Sequence, residues 1–90
     1  MQIRYFATIR EITGQTSIAW DQPANTLGDL LRQLTRRYDS RFAYWVWKDD
    51  NLSDMVIVLI NGKDVRHLTG LNTPLTPNDI VSIFPMVAGG

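Results

Sequence analysis

Met55-Val56-Ile57-Val58-Leu59-Ile60-Asn61-Gly62 is an apolar run of strand length, rich in β-branched residues and closed by a turn dipeptide. A run with no polar alternation predicts a central strand, buried on both faces and placed mid-sheet. Asn61-Gly62 predicts a type I′ hairpin, because that turn needs positive φ at both central positions. Further along, Asp64-Val65-Arg66 reads as a short return strand and Thr69 to Pro74 as loop. Thr76-Pro77-Asn78-Asp79 reads as a β-turn with proline at its second position. Ile80-Val81-Ser82-Ile83-Phe84 is then the last strand.

Towards the amino terminus, Ile3, Tyr5, Ala7 and Ile9 alternate with Arg4, Phe6, Thr8 and Arg10. That period of two predicts a first strand with Phe6 on its less buried face. Thr13-Gly14-Gln15 reads as a turn, and Thr16, Ile18 and Trp20 as an antiparallel partner strand that Asp21-Gln22-Pro23 ends. Thr26 is placed to cap a helix, with Asp29 in the third helical position of a capping box. Leu27, Leu30, Leu31, Leu34 and Tyr38 then form one apolar stripe, with Arg32, Arg36 and Arg37 mostly off it. A folded domain does not leave such a stripe in water, so it reads as core rather than as a partner-binding face. Phe42, Tyr44, Trp45, Val46 and Trp47 crowd together without a clean period, which predicts a short helix or irregular segment over one end of the sheet. Asp49-Asp50-Asn51 is a turn signal. These patterns add up to an α+β fold, a sheet with one main helix packed on one face.

Composition limits the function classes. Ninety residues with 44% apolar content make one domain with an ordinary core. With no cysteine there is no disulfide, thiolate metal site, iron-sulfur cluster or cysteine nucleophile. Nine basic and nine acidic residues cancel, so the broad positive field of a nucleic-acid or membrane binder is missing. No apolar run approaches the ~18 residues of a membrane span, and Met1-Gln2-Ile3-Arg4 enters a strand pattern without a signal-peptide core. The expectation is a soluble, cytoplasmic chain.

Catalytic equipment is sparse. Gly62-Lys63 lacks the rest of a phosphate-binding loop, so no nucleotide cradle is encoded. His67 is the one histidine and reads as a loop residue, with no second ligand for a metal. Asp49, Asp50 and Asp54 lack the spacing of a calcium loop and read as solvated turn residues. Arg36, Arg37 and Arg41 read as a solvated face. The sequence offers no metal-binding or cofactor-binding residues, so the chain takes part in chemistry as a subunit or as the thing acted upon.

The segment after the last strand, Pro85-Met86-Val87-Ala88-Gly89-Gly90, is the most suggestive. Glycines lacking Cβ can lie in a channel too narrow for side chains, leaving a terminal carboxylate as the reactive group. Extended, Met86 to Gly90 spans about 17 Å at ~3.3 Å per residue. A tail built for modification, a frayed terminus and an expression scar all fit the dipeptide alone. The expected division is a domain over 1–85 and a tail over 86–90.

Four segments together resemble the MoaD/ThiS-type β-grasp sulfur carriers, the ubiquitin-like family that includes the small subunit of molybdopterin synthase. They are Ile3 to Glu11, Leu59-Ile60-Asn61-Gly62, Thr73-Pro74-Leu75 through Asp79-Ile80-Val81, and Ile83-Phe84-Pro85-Met86-Val87-Ala88-Gly89-Gly90. Met86 stands where family members often carry a second proline. The resemblance implies a ubiquitin-like β-grasp fold and a Gly90 carboxylate that an E1-like adenylyltransferase activates with ATP and that becomes a thiocarboxylate. Gly89 would thread the channel, while Phe6, Phe84, Pro85, Met86, Val87 and Ala88 would contact partners. It further implies that the carrier binds no cofactor itself and hands sulfur to the molybdopterin synthase large subunit. Relatives with the same tail feed cysteine, thiamine or tRNA thiolation. A protein modifier forming isopeptide bonds and a plain β-grasp interaction domain are the rivals from other classes.

Overall fold

The computed structural model describes residues 1–86. Its main sheet is built from β1 (Gln2–Tyr5), β2 (Ser17–Ala19), β5 (Val56–Ile60), β6 (Lys63–Asp64) and β7 (Ile80–Pro85) in the order β2-β1-β7-β5-β6. Between β2 and β5 come helices α2 (Leu27–Arg37) and α3 (Ser40–Val46) and a small hairpin of β3 (Trp47–Lys48) with β4 (Asn51–Leu52). A further helix, α1 (Ala7–Thr13), joins β1 to β2, and two 3₁₀ turns, Val65–His67 and Gly70–Asn72, precede β7. The sheet is mixed: β1 pairs parallel with β7 and antiparallel with β2, while β5 pairs antiparallel with both β7 and β6.

Helix α2 forms where expected. The Thr26 hydroxyl accepts from the Asp29 N–H at 3.2 Å, and the Asp29 carboxylate accepts from the Thr26 N–H at 3.3 Å, a reciprocal capping box. Leu27, Leu30, Leu31 and Leu34 are fully buried against Ile3, Val56, Val58, Val81 and Ile83. Tyr38 ends the stripe in a polar chain: its hydroxyl donates to Gln15 Oε1 at 2.8 Å, which leaves it to accept from Tyr5 at 2.9 Å. Burial, and then the bond to Tyr38, push the Tyr5 phenol far above its ordinary pKa. The aromatic stretch is helical, with Phe42 and Val46 buried one turn apart and Tyr44 facing water. Asn61 and Gly62 have φ of 52° and 85°, the positive pair that the hairpin requires. The Thr76 to Asp79 turn closes through Asp79 N–H to Thr76 C=O at 3.2 Å.

Several expectations need correction. The first strand stops at Tyr5, and Ala7 to Thr13 is helix. Ile9 and Ile12 are three apart, one helical face, and both are buried; Gly14 at φ 72° closes the helix through its N–H to Arg10 C=O at 2.8 Å. The pairing of the first two strands is antiparallel as expected, but a helix connects them rather than a tight turn. The return strand is Lys63–Asp64 only, because the Asp64 side chain accepts from the Arg66 N–H at 2.9 Å and folds Val65–His67 into a 3₁₀ turn. One main helix is joined by two shorter ones. The centre of the sheet is β7, with β5 beside it, and β5 is fully buried on one face only: Val56, Val58 and Ile60 point into the core, while Ile57 and Leu59 stay half-buried on the other side.

Candidate functional site

All helices add their apolar side chains to the core on one side of the sheet, through alternate residues of β1, β5 and β7. Among the described residues no helix covers the other side. Register places Ile57 opposite Phe84, Leu59 opposite Ser82, and Ile80 opposite Gln2 on this face. The half-buried apolar residues thus form a strip that runs towards the carboxyl end of β7.

Phe6 joins the strip by an unusual route. It follows β1 with extended backbone (φ −127°, ψ 146°), and Ala7 then adopts φ 48°, the left-handed region, as the chain turns into α1. The Phe6 ring is left on the uncovered face, parallel to Phe84 with centroids 4.1 Å apart and planes 8° apart. Such stacks contribute about 0.5–1.5 kcal/mol beyond the area they bury. Phe6 therefore lies on the less buried face, as expected, but one residue past the end of the strand and stacked on Phe84.

Pro85 fits the end of β7 for a definite reason. The bonds Gln2 N–H to Asp79 C=O at 3.1 Å and Phe6 N–H to Ile83 C=O at 3.1 Å set the parallel ladder, in which an amide at position 85 would reach back to the Phe6 carbonyl. That carbonyl is already taken, at 3.0 Å by Ile9 N–H and at 3.3 Å by Arg10 N–H in α1. A residue with no N–H leaves no orphan donor there. On the other side, Met86 N–H donates to Met55 C=O at 2.7 Å, so the strand is held by β5 one residue past the proline. The Met86 side chain is 46% exposed.

Of the residues expected from sequence, the structure brings Phe6 and Phe84 together on the uncovered face, while Pro85, opposite Val56, lies on the core side at the end of β7 and Met86 follows it. Val87, Ala88, Gly89 and Gly90 lie outside the described residues. Ile57 and Leu59 belong to the strip although the sequence assigned them to the core, since an all-apolar run does not say which face is left open. His67 is exposed in its turn. Among the described residues no group of three or more His, Cys, Asp or Glu is placed to hold a metal, and no helix is long and apolar enough to cross a membrane.

A family model described as the ThiS family matches the chain over residues 3–90. The chain belongs to the ThiS family. Small archaeal modifier protein 3 of Haloferax volcanii is 47% identical over 92 residues, covering 100% of this chain and 98% of the relative. The solution structure of small archaeal modifier protein 1 from Methanosarcina acetivorans superposes with a TM-score of 0.82 at 32% identity, over 99% of this chain and 94% of that one. A chain of the Amycolatopsis orientalis BexX/CysO complex gives a TM-score of 0.82 at 26% identity, over 99% and 98%. The ThiS-family chain shares with these ubiquitin-like carriers and modifiers the β-grasp architecture described above.

Proposed function

We propose that the Gly90 carboxylate is the reactive group of a sulfur carrier, activated by an E1-like adenylyltransferase. A carboxylate ionised at neutral pH is a poor electrophile. Its oxygen attacks the α-phosphorus of ATP, pyrophosphate leaves, and the acyl-adenylate gains a good leaving group. Sulfide-level sulfur then attacks the acyl carbon and AMP departs, giving a thiocarboxylate that is ionised and nucleophilic near neutral pH, as low-pKa thiols are. The carrier supplies the docking face and the tethered sulfur, while nucleotide and sulfur chemistry belong to its partners. The finer reading is the small subunit of molybdopterin synthase, handing sulfur to a pterin precursor held by the large subunit.

The observation that carries this reading is the placement of the Phe6–Phe84 strip beside Met86, which is bonded to Met55 and stands immediately before Val87-Ala88-Gly89-Gly90 in the sequence. A partner that grips the strip has the four following residues within reach of its active site. A second reading is favoured by the 47% identity to a small archaeal modifier protein. It shares the adenylate, which a lysine amine of a target then attacks, forming an isopeptide bond as AMP and a proton leave.

Incubation with the cognate activating enzyme, ATP and a sulfur source, followed by intact mass, tests both. Exchange of one oxygen for sulfur supports the carrier, and a ladder of larger conjugates supports the modifier. An unchanged mass with an enzyme active on another carrier removes both readings.

A further inference from the structure

Strand β2 is one edge of the main sheet. Tyr5 N–H donates to Thr16 C=O at 2.9 Å and Trp20 N–H to Met1 C=O at 2.7 Å, while Ile3 sits opposite Ile18. Antiparallel alternation therefore puts the bonded positions at 16, 18 and 20, and turns the N–H and C=O groups of Ser17 and Ala19 away from β1. No turn, cap or side chain among the described residues bonds them.

Edges of this kind are normally blunted by lysine, proline, a bulge or extreme shortness. The opposite edge, β6, is two residues long and carries Lys63. β2 is one residue longer and carries no lysine, proline or bulge: its register is continuous, and Ser17 and Ala19 are small and exposed. Another backbone can approach to hydrogen-bonding distance.

The flank of this edge is cationic. The Arg37 guanidinium lies 5.6 Å from the Trp20 ring and 5.9 Å from the Tyr38 ring. Trp20 follows β2, and the Tyr38 hydroxyl bonds Gln15 just before it, so Arg37 runs along the strand on the side where Ile18 packs half-buried on the core. Arg37 has no ion-pair partner among the described residues. On the other flank Arg4, opposite Ser17, is exposed, and among the described residues its side chain bonds only that of Gln2. The one nearby carboxylate in sequence is Asp21, past the end of the strand.

We propose that β2 is a docking edge for an extended acidic and apolar segment of a partner protein. The segment joins the sheet as a sixth strand through the amides and carbonyls of Ser17 and Ala19, lays alternate apolar side chains on Ile18, and sets a carboxylate against Arg37. A second copy of this chain is the poorer occupant. Pairing β2 with itself about a two-fold axis leaves both Arg37 groups on one face of the joined sheet with no opposing carboxylate. β1 separates this edge from β7, so a partner held here leaves the Phe6–Phe84 face open, and the inference is independent of the tail chemistry.

The probe is an end-capped octapeptide of four alternating valines and isoleucines flanked by two aspartates on each side, titrated into isotopically labelled protein. Saturable amide shifts centred on Ser17, Ile18 and Ala19, weakening with added salt, are expected. Ala19→Pro removes an outward N–H without touching the β1 ladder, a place where proline is tolerated. It should weaken binding roughly tenfold, the size of one lost hydrogen bond, and Arg37→Glu by a similar factor. The same peptide with alternate backbone amides methylated tests the wild-type protein directly and should not bind, whatever the variants do to folding. Three results overturn the proposal: no saturable shift, shifts confined to Phe84 and its neighbours, or undiminished binding of the methylated peptide. A dimer in sedimentation that Ala19→Pro dissolves would assign the edge to a second copy instead.

Discussion

Phe6 and Phe84 lie ring on ring at 4.1 Å, although one follows the first strand and the other sits near the end of the last. Parallel pairing of β1 with β7 brings them together, and the left-handed turn at Ala7 keeps the Phe6 ring on the open face. Replacing either ring with alanine is expected to cost about 1–3 kcal/mol of stability. The double replacement should reveal a coupling of about 0.5–1.5 kcal/mol. Phe84→Ala should also weaken binding to the activating enzyme by more than about 1 kcal/mol. A thermal melt run beside a binding titration separates the two effects. Unchanged affinity per folded molecule would make the pair purely structural.

The chemistry proposed for the terminus predicts extreme sensitivity to length. Deleting Gly90 presents the carboxylate one residue short, by ~3.3 Å, and a misplacement of even ~1 Å can cost about a hundredfold in rate. Adding a residue turns the activated carboxylate into an amide and should be equally damaging. Gly89→Val should block a channel that closes on bare backbone. Every buried core side chain among the described residues lies at or before Ile83, so melting temperatures should hardly move. Thiocarboxylate yield read by intact mass decides, and wild-type yield from the Gly90 deletion would remove the sulfur-carrier reading.

Thr26→Ala removes the hydroxyl that receives the Asp29 amide while the carboxylate bond to the Thr26 N–H survives. The expected loss is about 1 kcal/mol, a fall in melting temperature of roughly 4–8 °C for a domain of this size. Thr26→Ser should recover most of it. If alanine melts with the wild type, the cap contributes nothing measurable.

Elements specified by local chemistry could be read directly. Thr26 with Asp29, Asn61 with Gly62, and Thr76 through Asp79 each satisfy their own backbone within a few residues, so sequence alone located them. Ala7 to Thr13 was misread because Ile3, Tyr5, Ala7 and Ile9 alternate as a strand would, while the helical pair Ile9 and Ile12 shares one of those positions. Gly14 was the available signal, a left-handed C-cap read as a hairpin turn. The position of Phe84 and Pro85 at the end of the last strand, with Met86 next, was legible from the pattern around them. The Phe6 stack was not, since it depends on a parallel register between chain ends. Nor were Ile57 and Leu59, because which face of β5 the helices leave bare is decided by tertiary packing.

Asp79 holds the start of β7: its carboxylate accepts from the Thr76 N–H at 2.7 Å and from the Asn61 side-chain amide at 2.8 Å. Desolvation raises its pKa, but the bonds from Thr76 and Asn61 outweigh this and hold it below the usual carboxylate value. A group depressed in the folded state stabilises above its unfolded pKa of about 3.9 and loses that contribution as pH falls through the folded value. Melting temperature should therefore drop below about pH 4 with a component that Asp79→Asn lacks. Parallel curves for the two proteins from neutral to acid pH would contradict this.

The parallel run of β1 beside β7 also sets where the protein can be handled. Gln2 faces Ile80 at one end of β7 and the strand leaves at Pro85, five residues on, about 17 Å away at ~3.3 Å per residue. A bead, a dye or a fusion partner joined to Met1 is thus attached at the pole of the molecule opposite Met86. Immobilised through that pole, the protein presents the Phe6–Phe84 face and its strand exit to solution, ready for an enzyme to meet.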